Sequence, residues 1–583
     1  MSRITCIVIV YRSIIHVMTL GTTPSDQSIF ATTTNFCASR ISEDSIYSLL
    51  HRECTTLFPD EMFADLFEDV GRRSVPPRIV AVVMILQRIE GLSDRDAVER
   101  FTYDIRWKYA AGGLDFDYPG FVHTVLVDMR ARLGRSSRPE RIFEVTLGAA
   151  KAAGLVGRRR VLDSTPLYDA VATMDTITLI RSAIRQVLQA ADGALLESLR
   201  QVITAKDGYE STGKPQIDWD DALAREALID SRAKDGFAIL SVLDGEKLGP
   251  VLTSAATLLA TVLGQDLEET STGTFRIARR VAKDRIISTV DTEARHGHKT
   301  SHRHFDGYKG HIVLDPDSEI ITATGVTPGN TGDACAATDL LSDVINDPGS
   351  KCSEVVDPKE AVEERDVDHH PDNKDTNTEP EKEPEPDAQC QEPSGEPYQV
   401  YGDAAYGSGE LLHTLEQAGA EIYCKVQPPV AVGGRFTKDA FGIDLQASTV
   451  TCPNGHIVHL RETKKGRLAK FAKLCTTCPV ASQCTTSRIG RNIRVGPYEE
   501  QLARARSIQA TLDWKSDYRS NRPKVERKFA HLMRHRHGGR RARVRGQKKV
   551  AADFNLLAAA VNLARLARLR LIHDQGIWAI NTV

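Results

Sequence analysis

Arg158–Leu167 reads RRRVLDSTPL, and the fold turns on how this stretch is taken. Three arginines give way to a Val-Leu pair and then to Asp163, Ser164, Thr165 and Pro166. This is the texture of a strand that ends in a polar turn. The acid therefore ends the strand or lies within it. By itself it is as well explained by a turn-making aspartate as by chemistry.

Working outward, strand signals return at Gly307–Asp315 (GYKGHIVLD) and Glu319–Gly329 (EIITATGVTPG), and a helix follows in GDACAATDLLSDVI. A further strand lies in YQVYGDAAYG, followed by a helix SGELLHTLEQAGA and a strand EIYCKVQPP. Between the first strand and the second, about 169–280, the chain reads as a helical insertion rich in Ala and Leu. The order is that of an RNase H-like α/β core. In that order Asp163 belongs to the first strand, Asp403 to the end of the fourth, and Glu526 to a helix after the last. Three acids distant in sequence can then converge.

Charge supports a polyanionic partner. The whole chain of 583 residues has a formal charge of −3, but Cys352–Pro397 holds sixteen carboxylates against four cations. Removing that −12 leaves about +9 on the remainder. The C-terminal stretch RPKVERKFAHLMRHRHGGRRARVRGQKK, Arg522–Lys549, contains a single carboxylate, Glu526. A lone acid weakens phosphate binding, so its presence asks for another role. Phosphodiester cleavage needs hard oxygen ligands for Mg²⁺ (or Mn²⁺) inside an otherwise basic surface. Glu526 as a metal ligand answers that; a helix-surface pair with Arg522 is the plainer alternative. Phosphate contacts are expected from Arg522, Arg527, Arg534, Arg540, Arg541, Arg543, Arg545, Lys548 and Lys549, and from Lys309 on the second strand. Arg295 and His311 are weaker candidates.

Cys452, Cys475, Cys478 and Cys484 form a set with a C-x-x-C pair, TCPNGH followed by LCTTCPVASQC. The first residues lack a cleavage site and are short for a membrane span, so these are thiols of a cytoplasmic protein. Four thiolates predict a structural Zn²⁺, with His456 a spare ligand.

The stretches MILQRIEGLSDRDAVERFTYDIRWKYAAG, VLDSTPL, HFDGYKGHIVLD, VTPGNTGDACAATDLL, YGDAAYGSGELL and the segment from Arg522 to Ala567 resemble bacterial insertion-sequence transposases of the DDE type, with an N-terminal domain like that of transposase InsH. The resemblance runs from about residue 60 to 570. It implies that Asp163, Asp403 and Glu526 are the catalytic, metal-binding triad. It also implies DNA cleavage at element ends, strand transfer into target DNA, terminal inverted repeats as partners and a homodimer on DNA near the nucleoid, with no membrane. The resembled family often has lysine seven residues after the glutamate; here Met533 stands there. Other classes also fit: an RNase H-like nuclease that cuts without joining, or an inactive zinc-containing DNA-binding relic.

The expected layout is a disordered or over-called leader (1–45) and a helical N-terminal DNA-binding domain (46–150). The catalytic core occupies 156–350 and continues at 398–430 after a disordered acidic insertion (351–397). A cysteine-rich insertion (445–495) and a C-terminal core segment (500–575) follow. Within 46–150, Pro77 marks a first turn, Gly91 a helix end, and Ser93 with Asp96 a capping box. A small helical bundle is favoured there over a helix-turn-helix, and Trp107, Tyr103 and Tyr109 suit core packing better than base stacking.

Overall fold

The computed structural model describes residues 18–22, 32–170, 173–205, 208–213, 215–300, 303–347, 396–430, 432–464 and 466–581. The acidic insertion expected at 351–397 lies almost wholly outside these residues. The chain is mixed α/β and divides into two units: Met1–Gly157, Val161–Ala336 and Arg519–Val583 form the first, Arg158–Arg160 and Ala337–Tyr518 the second.

Met18–Thr19 pair in parallel with Arg72–Arg73, and Thr33 and Cys37 are buried in a short helix. Thr33 donates its amide and its hydroxyl to the carbonyl of Leu114, which ties this segment to the helices.

Helix α1 spans Ile46–Leu57 and α2 Pro77–Glu90. In α2 Pro77 sits in the first turn, and Gly91 closes the helix at φ +68°. A side chain there would collide with the carbonyl of Arg536 as well as being strained. Helix α3 (Asp94–Tyr103) starts in the reciprocal Ser93–Asp96 capping box. Nearly every residue of α2 is buried, as in the central helix of a bundle. Trp107 is fully buried and donates its indole N–H to Glu90 at 3.0 Å. Helix α4 (Arg141–Ala152) ends the helical region.

Strand β1 spans Arg159–Tyr168. It does not stop at the polar residues; Asp163 through Tyr168 stay paired in register with Ile312 back to Gly307. Pro166 is tolerated because it lacks only a donor, while the surrounding pairs hold the ladder. The insertion follows as α5 (Thr176–Ala190), α6 (Ala222–Leu243) and α7 (Pro250–Asp266), packed on their own apolar core around Ile180, Val187, Leu259 and Val262. Strands β2 (Arg295–Thr300), β3 (Arg303–Leu314) and β4 (Ile321–Pro328) then form an antiparallel array in which β3 pairs with β1, β2 and β4.

In the second unit, β5 (Gln399–Gly402), α8 (Gly409–Gln417) and β6 (Glu421–Cys424) make a strand–helix–strand unit whose strands are parallel. The amide of Gln399 donates to the carbonyl of Arg158. Three short antiparallel strands (Gly442–Asp444, Thr449–Thr451, Ile457–His459) and a pair (Arg467–Lys470 with Asn492–Val495) follow around a small core of Val450, Ala469, Phe471 and Val495.

The chain returns to the first unit with α9 (Pro523–Leu532) and α10 (Gln547–Arg568). Helix α10 is long and apolar enough to cross a membrane, but it is packed inside the unit as a core helix. Gly310 of β3 lets it approach: an added Cβ would lie 3.0 Å from Phe554 of α10. Buried Asn562 answers both backbone groups of Ile321, accepting at 2.9 Å and donating at 2.8 Å. A buried amide is satisfied and β4 is fixed to the helix in one contact.

Candidate active site and nucleic-acid face

In the first unit, Asp163 stands in mid-strand on β1 and Glu526 in the first turn of α9. The N-cap residue of that helix, Arg522, lies between them. Its Nη2 is 2.9 Å from Asp163 Oδ2 and its Nη1 3.7 Å from Glu526 Oε1. The Arg522 side chain is 6 % exposed, whereas the Glu526 side chain is 66 % exposed. One carboxylate is thus partly enclosed beside the strand and the other reaches solvent from a helix start, where the backbone dipole favours negative charge. Asp163 Oδ1 also accepts the amide of Ser164 at 2.8 Å. Two carboxylates facing one fixed cation form a site built for positive charge. Hard oxygens in that arrangement suit Mg²⁺ or Mn²⁺.

Alternate residues of a strand face opposite ways, and Ser164 turns to the other side of β1. There its hydroxyl donates to Asp333 Oδ2 at 2.6 Å. Lys309 Nζ meets Asp333 Oδ1 at 2.7 Å and donates to the carbonyl of Thr331 at 2.8 Å. Buried His311 bonds Thr327 Oγ1 at 2.9 Å, and burial pushes its imidazole down to about 4. Sequence reasoning passed over Asp333; the only signal was its place in GNTGDACAATDLL, directly after the strand that pairs with β3.

In the second unit, Asp403 follows β5. It accepts the amide of Ala405 at 2.9 Å, and its carbonyl accepts that of Tyr406 at 3.1 Å. These bonds fix the turn after the strand. The hydroxyl of Tyr518 donates to the carbonyl of Gly402, next to the acid. Tyr401, Tyr423, Trp514 and Tyr518 form a run of stacked rings, with centroid separations of 4.6, 6.2 and 4.7 Å. The hydroxyl of Tyr401 donates to Asp517, and burial with that carboxylate raises the phenol strongly. The structure therefore brings Asp163 and Glu526 together through Arg522, and holds Asp403 at the end of β5 in the second unit.

Residues 274–356 and residues 451–567 each match a family model described as a transposase DDE domain, and residues 37–132 match one described as a transposase domain (DUF772). The chain is a DDE transposase. Comparison with curated proteins and with solved structures yields no match. The activity of this transposase is DNA transposition, by divalent-metal-dependent phosphoryl transfer. The matches cover β2–β4 with Asp333, the cysteines, and α9 with Glu526; Asp163 and Asp403 fall outside them.

In the transposase, Cys452, Cys475, Cys478 and Cys484 line one small cavity with His456. Gly455, at φ +81°, turns the chain so that Cys452 donates its amide to the carbonyl of His456 at 2.8 Å. Arg491 donates its amide to Cys475 Sγ at 3.4 Å. Burial raises the Cys484 thiol, opposed by Arg491 and aided by the three other cysteines. Among the described residues, no three of the four sulfurs lie within 4.8 Å of one another. The set is gathered, not closed.

The basic residues divide into two groups. Arg534, Arg540, Arg541, Arg545, Lys548 and Lys549 are exposed, and Arg543 is half-buried with its guanidinium on the carbonyl of Leu92. The segment is fastened to the end of β1: Tyr168 donates to the carbonyl of Arg540 at 2.9 Å and accepts the amide of Ala542 at 2.8 Å. Arg527 is exposed with Glu319 at 3.5 Å. Of the other expected phosphate ligands, Arg522 is buried beside Asp163 and Glu526, and Lys309 pairs with Asp333 and donates to the carbonyl of Thr331.

Proposed function

We propose that this transposase hydrolyses DNA at the ends of an insertion element and joins the freed 3′-hydroxyl to target DNA, with Asp163, Asp403 and Glu526 as the residues that hold its divalent ions. Arg522, fixed between Asp163 and Glu526 from strand and helix, is the observation that carries this reading. Acids on the first strand, at the end of the parallel strand β5 and on a late helix are the order of an RNase H-like core, and we assign the fold to that class. When bound, the ions supply Lewis-acid activation of the attacking oxygen and stabilisation of the leaving one. Asp163 and Glu526 provide hard oxygen ligands, and Arg522 orients both carboxylates. The exposed cations fastened to β1 hold phosphates and set the direction of the DNA strand. Because hydrolysis and joining are both phosphoryl transfers, one site serves both.

The cysteine set is read as a structural zinc site. Four thiols and an amide directed at Cys475 Sγ fit that ion, and the insertion has only a small apolar core of its own. Joining two ends calls for two copies on DNA, so a homodimer is proposed, acting in the cytoplasm.

The test is incubation of the purified protein with a labelled duplex carrying its element's end, with Mg²⁺ and with EDTA, beside Glu526→Gln. Metal-dependent nicking and joining by the wild type, with binding alone by the variant, supports the reading. Nicking without joined products favours a nuclease. Equal binding and no cleavage by either protein leaves a DNA-binding relic.

A further inference from the structure

The hairpin of β2 and β3 carries RHGHKT and RHFD on its two strands. Its register sets His298 opposite His304 and His296 opposite Asp306. Residues two apart on a strand share a face, so three imidazoles and one carboxylate stand at the corners of one cross-strand square. All three histidines are exposed, and among the described residues they are the one group of three or more His, Cys, Asp or Glu whose ligand atoms all lie within 4.8 Å of one another.

Two contacts show that these rings are oriented. His296 Nδ1 is 2.6 Å from Asp306 Oδ1, and Asp306 in turn accepts the hydroxyl of Thr173. A carboxylate on one ring nitrogen fixes the tautomer and leaves Nε2 as a ligand, the usual support of a metal-binding histidine. His298 Nδ1 and His304 Nδ1 face each other at 2.6 Å. Two such nitrogens at that distance either share a hydrogen bond, one ring donating to the other, or are placed to share a metal ion.

We propose that His296, His298 and His304 form a surface site for a transition-metal ion of the zinc, nickel and copper class, separate from the acids and from the cysteines. Imidazole nitrogen prefers these ions, whereas Mg²⁺ prefers oxygen. Metal–nitrogen bonds of about 2.0–2.1 Å in a tetrahedron put ligand atoms about 3.3 Å apart, so His298 and His304 need only part by a fraction of an ångström. Three protein ligands leave a fourth position to water or to an anionic oxygen. The bound ion links the two strands of the hairpin across its open face.

The test is Ni²⁺ binding to untagged, full-length, metal-stripped protein, followed by calorimetry and absorption. Wild type is expected to bind one equivalent more than the His298→Ala/His304→Ala double variant, and the extra equivalent lacks sulfur-to-nickel charge-transfer absorption. Asp306→Asn is expected to weaken that equivalent by about 10–100-fold, as for other supporting carboxylates. The side chains are exposed, so an unchanged thermal midpoint of the stripped double variant verifies its fold. Equal Ni²⁺ stoichiometry in wild type and double variant overturns the proposal, as does thiolate absorption accompanying every equivalent bound.

Discussion

Arg522 Nη2 lies 2.9 Å from Asp163 Oδ2, so the first acid of the proposed triad is paired with a cation supplied by the residue that caps the helix of the last. Removing the cation takes away the countercharge 2.9 Å from a partly enclosed carboxylate beside the strand. Arg522→Ala is expected to destabilise the protein by about 3 kcal/mol in EDTA. Mg²⁺ should recover a good part of that loss, and more than it adds to wild type. Denaturant unfolding with and without Mg²⁺ measures both; an equal Mg²⁺ effect on the two proteins counts against Asp163 as a metal ligand.

Glu526 is exposed, so Glu526→Gln should change stability by less than about 1 kcal/mol. Its expected effect is on chemistry, a fall in cleavage rate of about a thousand-fold, equivalent to about 4 kcal/mol of barrier. DNA affinity should be unchanged or slightly higher. A single-turnover cleavage assay beside an equilibrium binding assay separates the two.

His311 and His531 are both held down to about 4 in the folded protein, mainly by burial. The unfolded chain takes up those protons first, near the ordinary histidine range. Stability from these groups is therefore complete above about pH 6.5 and is lost as pH falls toward 4. His311→Gln, which retains a partner for Thr327, should flatten that decline. Unfolding free energies between pH 4 and 7 provide the check.

Arg540 and Arg541 are exposed on a segment fastened to β1, whereas Arg522 is enclosed. Arg540→Ala/Arg541→Ala should weaken DNA binding for all sequences alike and reduce the salt slope by about 2. A slope equal to wild type would place the duplex elsewhere.

The cysteine set predicts one zinc per chain that Cys478→Ser releases. Elemental analysis of the two proteins tests this, and proteolysis within 445–495 after chelation reports whether the metal holds the insertion together.

Local signals were legible where they depend on neighbours in sequence. The Ser93–Asp96 box, Pro77 and Gly91 acted as their residue types dictate. Strand β1 was placed but its end was misjudged, since the polar residues Ser164 and Thr165 look like a turn until His311 and Gly310 are known to lie opposite. Asp333 could not be weighed without Ser164 and Lys309, which reach it only through strand pairing. The same is true of Tyr401, Tyr423, Trp514 and Tyr518, unremarkable until stacked. Arg522 read as a phosphate contact or a helix-surface partner of Glu526; its contact with Asp163 was hidden, because nothing in the sequence reveals which arginine faces inward.

The backbone bonds between Tyr168 and the Arg540–Ala542 segment turn β1 into a ruler. Five residues separate Asp163 from Tyr168, about 17 Å of extended chain. Successive phosphates of a DNA strand rise by about 3.4 Å along the duplex. A strand cut beside Asp163 and gripped by Arg540 and Arg541 would therefore be held about five nucleotides from the break. That spacing is set by a rigid strand, and lengthening a loop elsewhere in the protein would not alter it.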